Sequence, residues 1–269
     1  MNKISDQEIV LLLTATVTPQ FNYMAHSPDI RLKQYIEAIQ WYLDNTSFRI
    51  IIGENSGCYT LIDYFAKKFE DRMELVCYKE TNTTRQFGYN EMLILKNVYD
   101  RSVFLKSASL VFKITGRLIV KNLAWHVAQL RYAGGGYIAA NVFRNMGYID
   151  SRFFAFTPSR FPDILAEEPN CCALYWDDIK AGKCRNGDDG KYVDFESTIG
   201  GVIKKGLAKE KKSFRYLLFP IFISGVEGMT GERYDESTWF RAKQILKKVF
   251  WDLDWLLIVR PFIGFHLKK

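Results

Sequence analysis

The stretch Ser107-Ala-Ser-Leu-Val-Phe-Lys-Ile-Thr-Gly-Arg117 constrains the fold more than any other. Leu110 to Ile114 reads as a buried strand that stops abruptly at Thr115-Gly116-Arg117. Lys113 sits inside the apolar run and Arg117 at its exit. A strand that ends this way, after alternating strand and helix patterns, marks where an α/β enzyme collects ligand groups. The guanidinium fork of Arg117 matches phosphate or carboxylate. It equally fits a strand-end arginine paired with a structural aspartate, and the residues around it decide.

Upstream, Ile9–Thr14 is a short apolar run, a first buried strand opening into Ala15-Thr-Val-Thr-Pro19. Arg31 to Leu43 is helical, with Tyr35, Ile39, Tyr42 and Leu43 on one face. Residues 48–52 form a second strand ended by Gly53-Glu-Asn-Ser-Gly57, with a helix expected over 58–69. Residues 73–77 are a third strand. Residues 88–100 are helical, with Met92, Leu95 and Tyr99 facing inward. Apolar strands alternating with helices imply a mostly parallel sheet covered on both faces. Its ligand loops are then 14–19, 53–57 and 115–117.

The second half is less regular. Gly134-Gly-Gly136 is a hinge or tight turn, and 181–191 a turn-rich loop. Residues 147–156 read as a strand with Asp150 and Arg152 inside it, although the two charges could instead pair with each other or flank the sheet. Residues 214–223 read as a strongly apolar strand leaving into the glycine-rich loop 224–231. A long helix begins at Ser237, with Trp239, Ala242, Leu246, Val249 and Leu253 on one face, closed by Pro261.

Composition excludes several classes. No run of 18 apolar residues predicts a membrane-spanning helix, and the N-terminus lacks a secretory pattern. Five cysteines without a CxxC pair argue for reduced thiols and against zinc. A formal charge of +7 favours anionic partners: nucleotide phosphates, nucleic acid or an anionic membrane. The lysines are scattered, and the cluster at 204–212 reads as a solvated face.

Few residues carry chemistry on pattern alone. Gly53–Gly57 lies between a strand and a helix, which suits an anion, or simply a turn with Asn55 or Ser56 as helix cap. Glu91 opens a helix, where it favours the dipole or faces the cleft. An Asp-x-Asp bridging a divalent metal to phosphates is missing from the fourth strand. Asp252-Leu-Asp254 has that spacing, but on a helix the two side chains diverge. Asp177-Asp178 and Asp188-Asp189 are unspecific. A cation can instead stabilise a leaving diphosphate, and Lys113 and Arg117 are the candidates. Asp150, Glu196 and Glu227 each fit a general base on an acceptor hydroxyl, or a structural role. Glu227 is the most base-like by setting. His26, His126 and His266 are far apart and read as incidental.

The order of these pieces resembles a group of bacterial capsule and lipopolysaccharide glycosyltransferases of the GT-A-like kind. The matching pieces are Leu13–Pro19, Gly53–Gly57, Gly88-Tyr-Asn-Glu91, Phe112-Lys-Ile-Thr-Gly-Arg117, Tyr148–Phe153 and the loop 224–231 before Tyr234. Lys-Ile-Thr-Gly-Arg followed by Asn122 is the most specific. The resemblance implies a single α/β domain over 1–269, GT-A-like (Rossmann-like), with a mostly parallel central sheet flanked by helices. Residues 1–122 are its nucleotide-sugar-binding half and 123–236 its acceptor half. Beyond the resemblance, 237–269 is a C-terminal helix whose Trp, Phe and Leu with terminal lysines fit either a membrane-surface anchor or a core-packing final helix.

It further implies transfer of a sugar from a nucleotide-sugar donor to a surface-polysaccharide or lipopolysaccharide acceptor. Thr16, Glu54, Asn55 and Ser56 would contact base or ribose, and Lys113 and Arg117 the diphosphate or sugar. Thr14, Glu91, Thr115 and Gly116 complete the donor-binding set. Asp150, Glu196 or Glu227 would be the base, with Arg117 stabilising the leaving group. No cofactor and no metal ligands are implied, since the missing Asp-x-Asp disfavours a divalent metal. The expected partners are a nucleotide sugar, a glycan or lipid-linked glycan and an anionic membrane surface, with no nucleic acid. The location expected is the cytoplasm, at the inner membrane. The rival readings are a CMP-sugar-using, sialyltransferase-like enzyme, a nucleotidyltransferase, and a basic nucleic-acid-binding module.

Overall fold

The computed structural model describes residues 3–20, 26–61, 65, 71–142, 147–211, 213–228, 230–234 and 236–254. Its strands are β1 (Ile9–Ala15), β2 (Arg49–Glu54), β3 (Met73–Cys77), β4 (Leu110–Thr115), β5 (Ile119–Val120), β6 (Ile138–Ala140), β7 (Phe153–Phe156), β8 (Phe214–Tyr216) and β9 (Ile223–Ser224). The helices that matter here are α1 (Pro28–Asn45), α2 (Phe87–Arg101), α3 (Leu123–Leu130), α4 (Phe195–Lys209) and α5 (Thr238–Asp254).

Seven strands form one continuous sheet in the order β3-β2-β1-β4-β7-β6-β8. β7 runs antiparallel to its neighbours β4 and β6, and the remaining pairs are parallel. This is the α/β architecture the apolar runs imply: a mostly parallel central sheet flanked by helices. Strands buried on both faces need apolar residues at every position, and all seven residues of β1 are buried. Their period of two splits them between two cores. Ile9, Leu11 and Leu13 face Tyr35, Ile39 and Tyr42 of α1 and Leu123 and Val127 of α3. Val10 and Leu12 face Met92, Leu95 and Val98 of α2 and Ile199 and Val202 of α4.

The register sets up the site. Thr14, at the carboxyl end of β1, pairs with Gly53 of β2 on one side and Thr115 of β4 on the other. The three expected loops therefore leave the sheet side by side. Gly116 donates its N–H to the Thr14 carbonyl at 2.8 Å. A Cβ at Gly116 would lie 2.8 Å from that oxygen and 3.2 Å from the Tyr35 ring, so a larger residue would push β4's exit away from β1.

Several expectations need correction. The strand expected over 147–156 is only Phe153–Phe156. Asp150–Arg152 form a turn ahead of it, with the Phe153 N–H reaching the Asp150 carbonyl at 3.4 Å. The ladder with β4 runs from Phe153 to Phe156, and ahead of the turn Ile149 makes an isolated antiparallel bridge to Val142. The strand expected over 214–223 is two short strands in different sheets: β8 borders the main sheet, while β9 pairs with β5. Pro220, which has no N–H to give, lies between them. Tyr99 is 38% exposed rather than inward, its ring edge-on to Phe161. The helix expected over 58–69 falls largely outside the described residues, as do Pro261 and His266.

Candidate active site

A cavity of about 500 Å³ opens where β1, β2 and β4 end. The end of β1 and the loop after it supply Thr14 and Thr16, the loop after β2 supplies Asn55, and the exit of β4 supplies Thr115 and Arg117. The opposite wall comes from Glu91 on α2, the turn Asp150–Arg152, Glu196 on α4 and Glu227 with Gly228. Arg31, on the first turn of α1, and Tyr234 close the remaining sides. Residues from both halves of the sequence thus line one cavity.

The loops are held by side chains that do not face it. Glu54 is fully buried, and its carboxylate accepts from the N–H of Val17 at 3.1 Å, of Ser56 at 3.0 Å and of Cys58 at 2.9 Å. It also accepts from the Ser56 hydroxyl. Glu54 is therefore a clasp between the first two loops, with Ser56 part of it, whereas a base or ribose contact was expected of both; neither lines the cavity. Asn55 does. Its Oδ1 accepts from the Thr16 hydroxyl at 2.7 Å, and its Nδ2 has no partner among the described residues.

Arg31 shares that corner. Its Nε and Nη2 donate to the Thr16 carbonyl at 3.0 and 2.7 Å, while Nη1 has no partner among the described residues. The residue is 2% exposed. Two buried donors, Asn55 Nδ2 and Arg31 Nη1, thus flank Thr16 without an acceptor among the described residues. Buried donors left unmatched are costly, so the corner suits a ligand rich in acceptor atoms.

Lys113 differs from expectation. Facing the diphosphate or sugar was expected of it, but it is fully buried beneath the cavity and is not part of its lining. Its ammonium ion-pairs Glu91 and donates to the Ser151 carbonyl at 2.6 Å, lying 5.6 Å from the centre of the Phe195 ring. Glu91 also accepts from the Thr14 hydroxyl at 2.9 Å. The Ser151 hydroxyl in turn donates to Glu196 at 2.6 Å. Lys113 is a buried strut under two carboxylates rather than a ligand contact.

The cation at the strand exit is Arg117. Its Nε donates to the Val226 carbonyl at 3.0 Å, tying the exit of β4 to the loop after β9. Its outer nitrogens pack against Gly228, where a Cβ would stand 2.1 Å from Nη2. Arg152 is held bidentate by Asp150, with Nε–Oδ1 at 2.8 Å and Nη2–Oδ2 at 2.7 Å. Burial opposes its charge, but the Asp150 bonds outweigh that and raise its pKa.

The three candidate bases separate by partner. Asp150 is spent on Arg152. Glu227 accepts from the Thr230 hydroxyl at 2.6 Å on an exposed loop. Glu196 accepts from the Ser151 hydroxyl and from its own backbone N–H, yet burial pushes its pKa above the ordinary 4.5, with Glu91 adding to the rise. Arg31, Ser151 and Tyr234 are cavity residues to which the sequence reading gave no role. Among the described residues no group of three or more His, Cys, Asp or Glu side chains converges as a metal site requires. His126 is buried against the Phe153 ring, away from the cavity, and burial lowers its pKa to about 4.

No family model and no curated protein sequence matches the chain. Among solved structures, a protein of Desulfovibrio desulfuricans G20 described as a nucleotide-diphospho-sugar transferase is similar at 11% identity, over 78% of this chain and 79% of its own, with a TM-score of 0.42. A 4-diphosphocytidyl-2C-methyl-D-erythritol synthase of Anaerococcus prevotii is similar at 12% identity, over 90% of this chain and 99% of its own, with a TM-score of 0.42. Mouse xyloside xylosyltransferase 1 is similar at 5% identity, over 78% and 84%, with a TM-score of 0.43. Likeness this distant says nothing of activity.

Proposed function

We propose that this chain is a glycosyltransferase that moves a sugar from a nucleotide-sugar donor to a surface-polysaccharide or lipopolysaccharide acceptor. The observation that carries the proposal is the cavity itself. Donors without partners among the described residues sit at the end of β2 and on the first turn of α1, an anchored arginine at the exit of β4, and a carboxylate of raised pKa on the facing helix.

The roles follow from position. The nucleoside lies against Thr16, with Asn55 Nδ2 and Arg31 Nη1 donating to its acceptor atoms. The diphosphate lies toward Arg117, which is fixed through Nε and leaves its outer nitrogens for phosphate oxygens. The acceptor hydroxyl gives its proton to Glu196. Its oxygen bonds to the anomeric carbon as the bond from that carbon to the phosphate oxygen breaks. The electron pair leaves on the nucleoside diphosphate, whose added charge Arg117 stabilises.

A thermal-shift screen tests this. The full chain is melted with UDP, GDP, CMP and dTDP and their common sugars, each with manganese and with EDTA. A shift with one nucleotide that survives EDTA supports the cationic site at Arg117. No shift with any nucleotide overturns the proposal, and a shift confined to manganese overturns its metal-free form.

A further inference from the structure

An amphipathic helix on a protein surface ordinarily turns its apolar stripe to the core. α5 does the reverse. Trp239 is 78% exposed, Phe250 70%, Leu246 59% and Val249 50%. They share one arc of the helix. The opposite arc meets the domain through cationic side chains: the Arg241 guanidinium lies 5.9 Å from the centre of the Phe222 ring, and the Lys248 ammonium 3.5 Å from that of Tyr216. Lys248 is buried despite its charge. Turning the helix over would cover four large apolar residues, yet the chain covers cations instead.

The surroundings say what the outward face fits. Lys243 and Lys247 are exposed along its border. A second copy of the chain would set those lysines against their equals, and each copy carries a formal +7. Residues 255–269 hold Arg260, Lys268 and Lys269 and no acidic residue, so they add the same sign of charge. An apolar arc with a tryptophan, bordered by lysines, matches the boundary between headgroups and acyl chains of an anionic bilayer. No described helix is long and apolar enough to cross a membrane, which leaves the plane of the surface.

We infer that α5 lies flat on an anionic membrane surface. Trp239, Leu246, Val249 and Phe250 enter the interface, and Lys243 and Lys247 meet lipid phosphates. Thr238, where the helix starts, is four residues beyond Tyr234 in the cavity wall. Docking therefore brings the cavity to the lipid surface, where a lipid-linked acceptor would stand.

The test is sedimentation of the full chain with phosphatidylcholine vesicles, with and without phosphatidylglycerol. We expect binding to the anionic vesicles that weakens with salt. Leu246→Glu should lower partitioning about tenfold or more, from the loss of one buried apolar side chain. Lys243→Glu with Lys247→Glu should lower it on anionic vesicles alone. Both variants alter exposed positions and should melt with the parent protein. Failure to sediment overturns the inference, as does a Leu246→Glu variant that sediments unchanged. So does an oligomer in solution, seen by light scattering, that Leu246→Glu dissociates. Nucleotide-induced thermal shifts of Leu246→Glu should match the parent's, which separates this result from the fate of the glycosyltransferase proposal.

Discussion

The buried ammonium of Lys113 pairs with the carboxylate of Glu91 directly beneath the cavity floor. The same ammonium holds the Ser151 carbonyl, so one side chain fixes two walls that come from distant parts of the sequence. A charge sealed from water persists only where partners compensate it. Here the carboxylate, the carbonyl and the Phe195 ring do so.

Lys113→Met tests whether that strut is structural. The methionine fits the apolar space but strands the Glu91 carboxylate and the Ser151 carbonyl. We expect a loss of about 3 kcal/mol in chemical denaturation, the lower end for a broken buried pair because Glu91 keeps some exposure. A loss below about 1 kcal/mol together with abolished turnover would return Lys113 to a direct part in the chemistry.

Gly228→Ala isolates the position of Arg117. The new methyl would stand 2.1 Å from Nη2, the free end of a flexible side chain, so the guanidinium should yield rather than the backbone. We expect near-parental melting and turnover reduced by about a hundredfold or more, the scale of losing one preorganised stabiliser of developing charge. Unchanged turnover would place the leaving group elsewhere.

How much of this was legible depended on how locally each feature is encoded. β1 and β4 follow from unbroken apolar runs, since a strand covered on both faces has no polar position to blur the signal. Asp150 and Arg152 were misplaced because a run ending in Phe153–Phe156 looks continuous. The alternative that the two charges pair with each other is the one the structure holds, and the Phe153 N–H to Asp150 carbonyl bond shows that the chain turns first. The roles of Glu54 and Lys113 were not legible at all. Both are charged residues beside candidate loops, and only burial distinguishes a clasp or a strut from a ligand contact. Arg31 did carry a faint signal: a cation in a first helical turn opposes the dipole, so something outside the helix had to hold it, and Thr16 does. For α5 the sequence left a surface anchor and a core-packing helix both open, because periodicity gives a stripe but not the direction in which it points.

Asn55→Ala should separate binding from chemistry. It removes the unmatched Nδ2 and the acceptor of the Thr16 hydroxyl. If both serve the nucleoside, that contact is made equally before and during transfer. The KM for the donor should then rise about tenfold, from the loss of one hydrogen bond, while kcat holds. A fall in kcat at constant KM would move Asn55 out of the nucleoside corner.

Glu196 gives the prediction with a sign that can be worked out. Burial raises its folded pKa above the unfolded value near 4.5, so the folded protein holds this proton longer than the unfolded chain does. Its contribution to stability is therefore whole below that unfolded value. It is lost as pH rises through the folded one. Above the folded pKa the ionised, buried carboxylate is a cost to folding, kept because a base must be ionised to take a proton. Glu196→Gln keeps an acceptor for the Ser151 hydroxyl and removes the charge. The variant should be as stable as the parent below the unfolded pKa and more stable above the raised folded one, and turnover should be lost at every pH. In the parent, kcat should climb with pH through the raised pKa. A Glu196→Gln enzyme that turns over normally would leave Glu227 or Asp150 as the base, and a parent rate flat across that pH range would deny Glu196 the proton.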